Sequence, residues 1–578
     1  RGWGRAMSRR RRGPRGRAAA GSLAALLIGL SGCARIPTSG PVGQGQEIAE
    51  DGDQTVRYLP RGPIGGETPV EIVQYFLRAG IGTQPDYDSA RQFLTAEFVA
   101  EWEPSQRVLV YSGVPEYLEN ADGSITVRIE AVAEIGSDGQ YVRLDSPKRM
   151  ELDYFLAQTE GEWRIRQGPD GLVLHEQQFS DTFKAYTLWF FDQSHRYMVP
   201  DVRWFADNVR TPSRIVQASL AGPAPWLAQA GTTGAFPPGT TLQGTVRIED
   251  GVATADFSQS ISTAVTSQFS LMRLQLERSL RDVPTIQEVS MTVNEAAIDI
   301  GLPPEDLVTV EPQVNSTPLV YRDGQIGYIT GNALTAPTGT EELNDMIAGI
   351  APVQGTLSVE QRMSAFLTPE GVVAVPFDRP EIERIDRREG LIAPALDPYG
   401  YVWTASDRGP ELRVEGTDRG GHRQEFAPGS LGAEGVLSMQ LSREGSRVAM
   451  LVRDRGTVRL AIMSVIRDVA TGMPTGLGSP IVMGLGSGQP VDLTWVDESQ
   501  TYVAVLVDDG AGSSSVRVQH VGGELVENGA VPNGAQITGG NSAAGLRVLD
   551  RSGNLFVPRS ARWDATGARV SFLITQVV

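Results

Sequence analysis

Cys33 is the single cysteine in a chain of 578 residues, and a lone thiol narrows the chemistry it can serve. It cannot close a disulfide within the chain. A thiolate-held metal draws on several Cys and His side by side, whereas His175, His195, His422 and His520 are scattered, with no HExxH or H-x-H pattern. His195 stands near Asp192 and Asp201, as a general base would, but no nucleophile motif accompanies it. Neither Lys148 nor Lys184 follows a serine by three residues, so the S-x-x-K nucleophile is absent. The glycine cluster Gly484–Gly488 leads into "QPVDLTW" rather than a helix. A phosphate cradle needs the helix N-terminus behind it, so this cluster reads as a loop between strands. Glu381, Glu383, Asp386 and Glu389 interleave with Arg384, Arg387 and Arg388, which reads as a solvated, self-neutralising loop. Trp102, Trp204 and Trp226 could stack on glycan, and buried positions are the preferred reading. No catalytic residue, metal or cofactor is expected.

The flanks of Cys33 give it a use. From Met7 the chain reads "MSRRRRGPRGR", then the apolar stretch Ala18–Leu30, then Ser31 and Gly32. A basic segment, an apolar segment and small residues are the parts of a secretory signal. The apolar stretch falls short of the roughly 20 residues that span a bilayer. Leu30-Ser31-Gly32-Cys33 resembles the bacterial lipobox. That resemblance implies cleavage between Gly32 and Cys33, S-diacylglycerol on the thiol, N-acylation of the new terminus, and a lipid anchor on the extracytoplasmic face of the cell membrane. The natural start is expected at Met7.

Charge bounds the partners. The chain carries a net charge of −18. Residues 1–32 contain eight arginines and no acid, so removing them takes the remainder to −26. Nucleic acid and anionic lipid headgroups are then poor partners for the body.

The elements that follow divide the chain. Residues 33–66, the lipidated Cys33 and a Gly/Pro-rich stretch without a sustained period, read as a flexible tether reaching on the order of 30 Å. In residues 67–183, Thr68-Pro69-Val70-Glu71 predicts a capped helix, and Val70, Val73, Phe76 and Leu77 follow at helical spacing. A second helical stretch holds Ala90, Phe93, Leu94, Phe98 and Trp102. Ile125, Val127, Ile129, Ala131 and Ala133 then alternate with polar residues, and a hairpin turns near Glu160-Gly161. Helices followed by antiparallel strands mean α+β, and the order resembles the cone-shaped domains of the nuclear-transport-factor type.

Residues 184–300 alternate differently. "YTLWFFD" predicts a strand, Thr211-Pro212 a capped helix ending at Gly222-Pro223, Asp250-Gly251 a two-residue hairpin turn, and Phe269, Met272, Leu276 and Leu280 an amphipathic helix. The ordered landmarks "ASLAGP", "PPGTTLQ", "DGVATADFS", "LQLERSL" and "VPTIQEVSMTV" resemble the GerMN domain. From 318 to 578, short β runs and Gly/Asp turns take over. A weak repeat recurs around Asp397, Ser442, Asp497 and Asp550, at spacings that fit four-stranded propeller blades, with a twisted sandwich as the structural alternative. The closing "RWDATGARVSFLI" reads as one more strand sealing the ring. The fold class is therefore multidomain, α+β and all-β: two small α+β domains and then a β-propeller of about five or six blades.

Lipobox, cone-like region, GerMN region and propeller in this order resemble the actinobacterial LpqB lipoprotein family. The resemblance implies a membrane-anchored, non-enzymatic partner of the extracytoplasmic domain of a sensor histidine kinase of the Mtr type, acting in envelope homeostasis and division. The alternative is a lipoprotein that binds or hydrolyses cell-wall glycan with the propeller face, which makes peptidoglycan the competing partner.

Overall fold

Thr68 caps the first described helix. Its hydroxyl accepts from Glu71 N, the Glu71 carboxylate accepts from Thr68 N at 2.9 Å, and Pro69 begins Pro69–Ala79. The structure, a computed structural model, describes residues 60–81, 86–298, 308–377, 381–416, 423–427, 431–560 and 562–578. Cys33, the signal segment and His422 lie outside these residues. Residues 60–66, expected as the end of the tether, are instead fixed to the body. Pro60 O accepts from Ser89 Oγ at 2.9 Å, and Gly66 N donates to Glu162 at 2.8 Å.

The first helix buries Ile72, Val73 and Phe76, with Val70 and Leu77 half-buried beside them. The second helical stretch is broken into Asp88–Arg91 and Ala96–Glu101. Between them the chain turns to the sheet, where Thr95 N donates to Ile165 O and Ile165 N to Phe93 O. All five apolar residues expected of that stretch are buried nonetheless. The sheet is five-stranded, in the order Glu162–Gln167, Tyr141–Thr159, Ile125–Gly136, Arg107–Glu119, Leu172–His175. Ile125, Val127, Ile129, Ala131 and Ala133 face its core. Glu160 and Gly161 both take positive φ, 54° and 85°, the conformation that a two-residue hairpin turn requires.

Next, Phe183–Phe191 pairs antiparallel with Met198–Ala206. A four-stranded sheet follows, in the order Ala296–Ala297, Glu288–Val293, Val252–Phe257, Arg247–Glu249. The helices Thr211–Ala221 and Thr266–Leu280 pack with both sheets around one core, in which Leu188, Phe190, Met272, Leu276 and Leu280 are fully buried. Asp250 and Gly251 form the expected turn with φ of 48° and 81°. The cap is a correction: Arg210 precedes the helix without a side-chain bond, and Thr211 is already helical. The Thr211 hydroxyl is used elsewhere, donating to Ala206 O and accepting from Asn208 N.

From Leu319 onward the strands form six blades in a ring, five of them four-stranded and the fourth five-stranded, with Ile481–Met483 added beside Thr457–Arg467. Blade 1 joins Leu319–Arg322, Gln325–Thr330 and Ala333–Thr335 to the C-terminal strand Phe572–Val577. Blades 2 to 6 span 354–386, 395–426, 433–483, 489–532 and 534–569. The C-terminal strand is the innermost of blade 1, and it also pairs in parallel with Gln354–Ser358, the inner strand of blade 2. The stretch read as a single closing strand is two: Arg562–Arg569 is the outer strand of blade 6, and only Phe572–Val577 closes the ring.

The repeat has a physical basis and one misplacement. Asp397, Ser442 and Asp497 each stand at the turn after an inner strand, where the side chain accepts from backbone N–H groups ahead. Asp550 organises its turn in the same way, accepting from Ser552 N and Asn554 N at 2.8 Å. That turn joins the second and third strands of blade 6, however, so Asp550 lies on the opposite rim. A side-chain-capped turn closes any pair of antiparallel strands, which is why the pattern does not distinguish the two rims.

Candidate functional site

The inner strands run in one direction, so the turns after them gather on a single rim. The module built from residues 183–298 and the segment 308–317 sits on that rim. Tyr399 donates its hydroxyl to Asp192 at 3.3 Å, Arg443 Nη1 to Pro312 O at 3.2 Å and Ser499 to Glu311 at 2.5 Å. At the flank, Ser464 donates to Trp226 O, Ser479 N to Gln229, and Trp204 Nε1 to Gly522 O at 2.7 Å. Burial alone would raise the Glu311 carboxyl, but hydrogen bonds from Arg281 and Ser499 hold it below the usual range. Burial lowers the Arg443 guanidinium to about 10, so it remains charged at neutral pH while its donors hold Pro312 O, Gly540 O and Asn541.

Behind this rim the inner strands enclose a channel with a free volume of about 60 Å³, room for a few waters. Polar side chains lace its wall. Gln440 accepts from Trp495 N at 2.8 Å, and Gln536 accepts from Leu573 N at 3.0 Å. Asp492 ties three blades together. One oxygen accepts from Ser438 Oγ and Leu493 N, and the other accepts from Ile537 N at 2.9 Å. Burial raises its carboxyl to about 6.

The residues singled out in the sequence are dispersed. Asp192 accepts from Ser194 and Tyr197 N, organising its own turn, while His195 lies exposed in that turn with φ of 56°. Asp201 forms a buried pair with Arg203 at 2.7 Å and accepts from Ala224 N. His175 caps the helix Glu176–Thr182 through Nδ1. The acidic run departs from its loop reading: Glu383–Asp386 is the outer strand of blade 2, and Asp386 has no exposed side-chain surface and pairs with Arg388 at 2.8 Å and Arg413 at 3.1 Å, joining blades 2 and 3. Trp102 is core, whereas Trp204 and Trp226 are half-buried contacts between modules. Among the described residues no cluster of His, Cys, Asp and Glu could hold a metal, and no helix is long and apolar enough to cross a membrane. The sequence reading missed Asp492, Arg443 and Tyr399.

His520 offers a pH test of the same interface. Its ring stacks on Tyr502 at 4.2 Å and meets Trp204 at 6.3 Å, and burial lowers its pKa from 6.5 to about 4. The unfolded chain therefore takes up this proton first, and stability falls as pH drops from 6.5 toward 4. The loss should be about 2–4 kcal/mol at 1.4 kcal/mol per unit. Asp492 titrates in the opposite sense: its raised pKa favours the folded state as pH falls below about 6. The expected result is thus a difference: urea unfolding at pH 7 and pH 4.5 should cost wild type more than His520→Gln.

Residues 62–180 match the family described as Lipoprotein LpqB, N-terminal domain, and residues 336–570 match the Lipoprotein LpqB beta-propeller domain. The chain belongs to the LpqB lipoprotein family. Between the two LpqB matches, residues 187–299 match the family described as Sporulation and spore germination. Lipoprotein LpqB of Thermobifida fusca is 26% identical over 601 residues, covering 92% of this chain and 94% of that protein. Lipoprotein LpqB of Cutibacterium acnes is 26% identical over 467 residues, covering 76% and 77%. Among solved structures, the first GerMN domain of the sporulation protein GerM from Bacillus subtilis is 20% identical, covering 22% of this chain and 97% of that one, with a TM-score of 0.18.

Proposed function

We propose that this LpqB-family chain is anchored through a lipid on Cys33 at the extracytoplasmic face of the cell membrane. There it acts, without catalysis of its own, as the accessory partner of an Mtr-type sensor histidine kinase in envelope homeostasis and division. The domain divisions are those read from the sequence, except that residues 60–66 join the α+β domain: signal 1–32, tether from 33 to before Pro60, α+β domain to 183, GerMN domain 184–300 and propeller 318–578. The observation that carries this reading is the channel. Glycan hydrolysis needs two carboxyls across a cleft wide enough for a sugar. The channel has about 60 Å³ and a single carboxylate whose two oxygens already accept hydrogen bonds. Function then falls to the outer surfaces, as in a binding protein. Such a partner shifts the kinase equilibrium only by its differential affinity for the two kinase states.

The test is binding of residues 34–578 to the purified extracytoplasmic domain of the cognate kinase, with peptidoglycan alongside as the competing ligand. Saturable kinase binding is expected; binding to glycan alone would overturn the proposal. In cells, Cys33→Ala should move the protein from the membrane fraction to the soluble one, read by fractionation. Retention in the membrane would dismiss the anchor.

A further inference from the structure

A second cavity lies where three parts of the molecule meet. It has a volume of about 630 Å³ and is walled by the strand Tyr141–Thr159, the helix Pro225–Ala228 and the outer edges of blades 4 and 5. That size falls within the 300–1,000 Å³ of small-molecule sites, which favour domain junctions. Its surface is mainly apolar, from Leu144, Trp226, Ile481, Met483 and Leu525. Arg143 is the single charged side chain among the described lining residues, and it has no ion-pair partner among the described residues. Arg143, exposed at the cavity, supplies local positive charge for an anionic group, against the Glu524 and Glu176 carboxylates that also act on the lining Tyr141. Glu524 is exposed between two lining residues and does not itself line the cavity. The walls are preformed. Trp226 O accepts from Ser464 Oγ at 2.5 Å, Gln229 accepts from Ser479 N at 2.7 Å, and the Tyr141 ring rests on Trp204 at 5.6 Å.

We propose that this cavity binds a single-chain amphiphile, an acyl chain with an anionic head, with the hydrocarbon against Trp226, Met483 and Leu525 and the head at Arg143. A free fatty acid and a lysophospholipid share this chemistry. Because the lining comes from all three parts of the body, the bound chain holds them together and stabilises their present arrangement.

The test is calorimetric titration of residues 34–578 with dodecanoate and dodecyltrimethylammonium below their micellar concentrations, and with lysophosphatidylglycerol. One saturable dodecanoate site is expected, with affinity rising about fourfold per added methylene from octanoate upward. The cationic analogue should bind more weakly, and Arg143→Gln should cost dodecanoate about threefold to fivefold while leaving the cationic analogue no weaker. Met483→Trp narrows the cavity at its hydrocarbon wall and should weaken dodecanoate binding; Ile481→Phe is the substitute if circular dichroism shows that variant unfolded. Tighter binding of lysophosphatidylglycerol identifies a phospholipid-derived ligand, and tighter dodecanoate binding a free fatty acid. Non-saturable uptake, equal affinity for both head charges, or undiminished binding by a folded narrowed variant overturns the proposal.

Discussion

A chain ended after Val570 should fail to form the propeller. It loses Phe572–Val577, which pairs with Leu319–Arg322 on one side and with Gln354–Ser358 on the other. Removing it exposes two strand edges at once and opens the ring between blades 1 and 2. Phe572, Leu573 and Ile574 are buried, and Phe572 stacks on Tyr321 at 4.8 Å. Each such side chain contributes about 1.5–3 kcal/mol, and the lost ladder bonds add about 1 kcal/mol apiece. Together these approach the whole net stability of a typical domain, about 5–15 kcal/mol. The exposed edges are also templates for aggregation. The readout is urea unfolding followed by circular dichroism, beside size-exclusion chromatography. A cooperative transition at the wild-type midpoint would mean that the ring does not depend on this closure. The point substitution Ile574→Asp should reproduce most of the loss, because it places an unpaired charge at a position with no exposed surface.

What the sequence discloses here follows from how local each signal is. The capping box at Thr68 and the turns at Glu160-Gly161 and Asp250-Gly251 are set by two to four adjacent residues, and each appears where its pattern stands. The propeller repeat is visible only from Asp397 onward, for two reasons. Blade 1 takes its inner strand from the far end of the chain, so it has no turn from inner to second strand. Blade 2 uses Ser358, whose hydroxyl accepts from Gln361 N, in a turn without glycine. The interface is illegible because it joins distant residues: Trp204 and Gly522 are 318 positions apart. Asp492 gives no local sign either. It occupies an ordinary alternating place in "QPVDLTW", and only ring closure surrounds it with Ser438 and Ile537 from the adjacent blades. Asp386 misleads for the converse reason, since its run of neighbouring charges conceals two arginines that hold it in the interior.

Asp397→Ala should be the most damaging single substitution among the rim turns, at about 3–5 kcal/mol. The carboxylate has no exposed surface. One oxygen accepts from Tyr399 N at 3.0 Å and Tyr401 N at 2.9 Å; the other accepts from Trp403 Nε1 at 3.1 Å and Arg467 Nη1 at 2.8 Å. Alanine leaves three donors without this acceptor, two of them buried, and one guanidinium without its counter-ion. Asn should cost less than Ala, because its amide oxygen still accepts one or two of these bonds. Arg467 is itself held by Gly445 O and Gly472 O and lies over the Tyr399 ring at 4.4 Å. Deleting both partners therefore does not restore stability, but a double-mutant cycle with Arg467→Met should show coupling of about 1–3 kcal/mol. The effect should also spread beyond the blade. The Asp397 turn positions Tyr399, whose hydroxyl reaches Asp192 in the neighbouring module, so amide exchange at residues 192–197 should quicken in Asp397→Ala while the core of the first sheet, at Val127 and Ile129, keeps its protection. Were exchange at 192–197 unchanged and the cost below about 1 kcal/mol, the turn would be a passive connection, and the rim contact would rest on Arg443 and Ser499 instead.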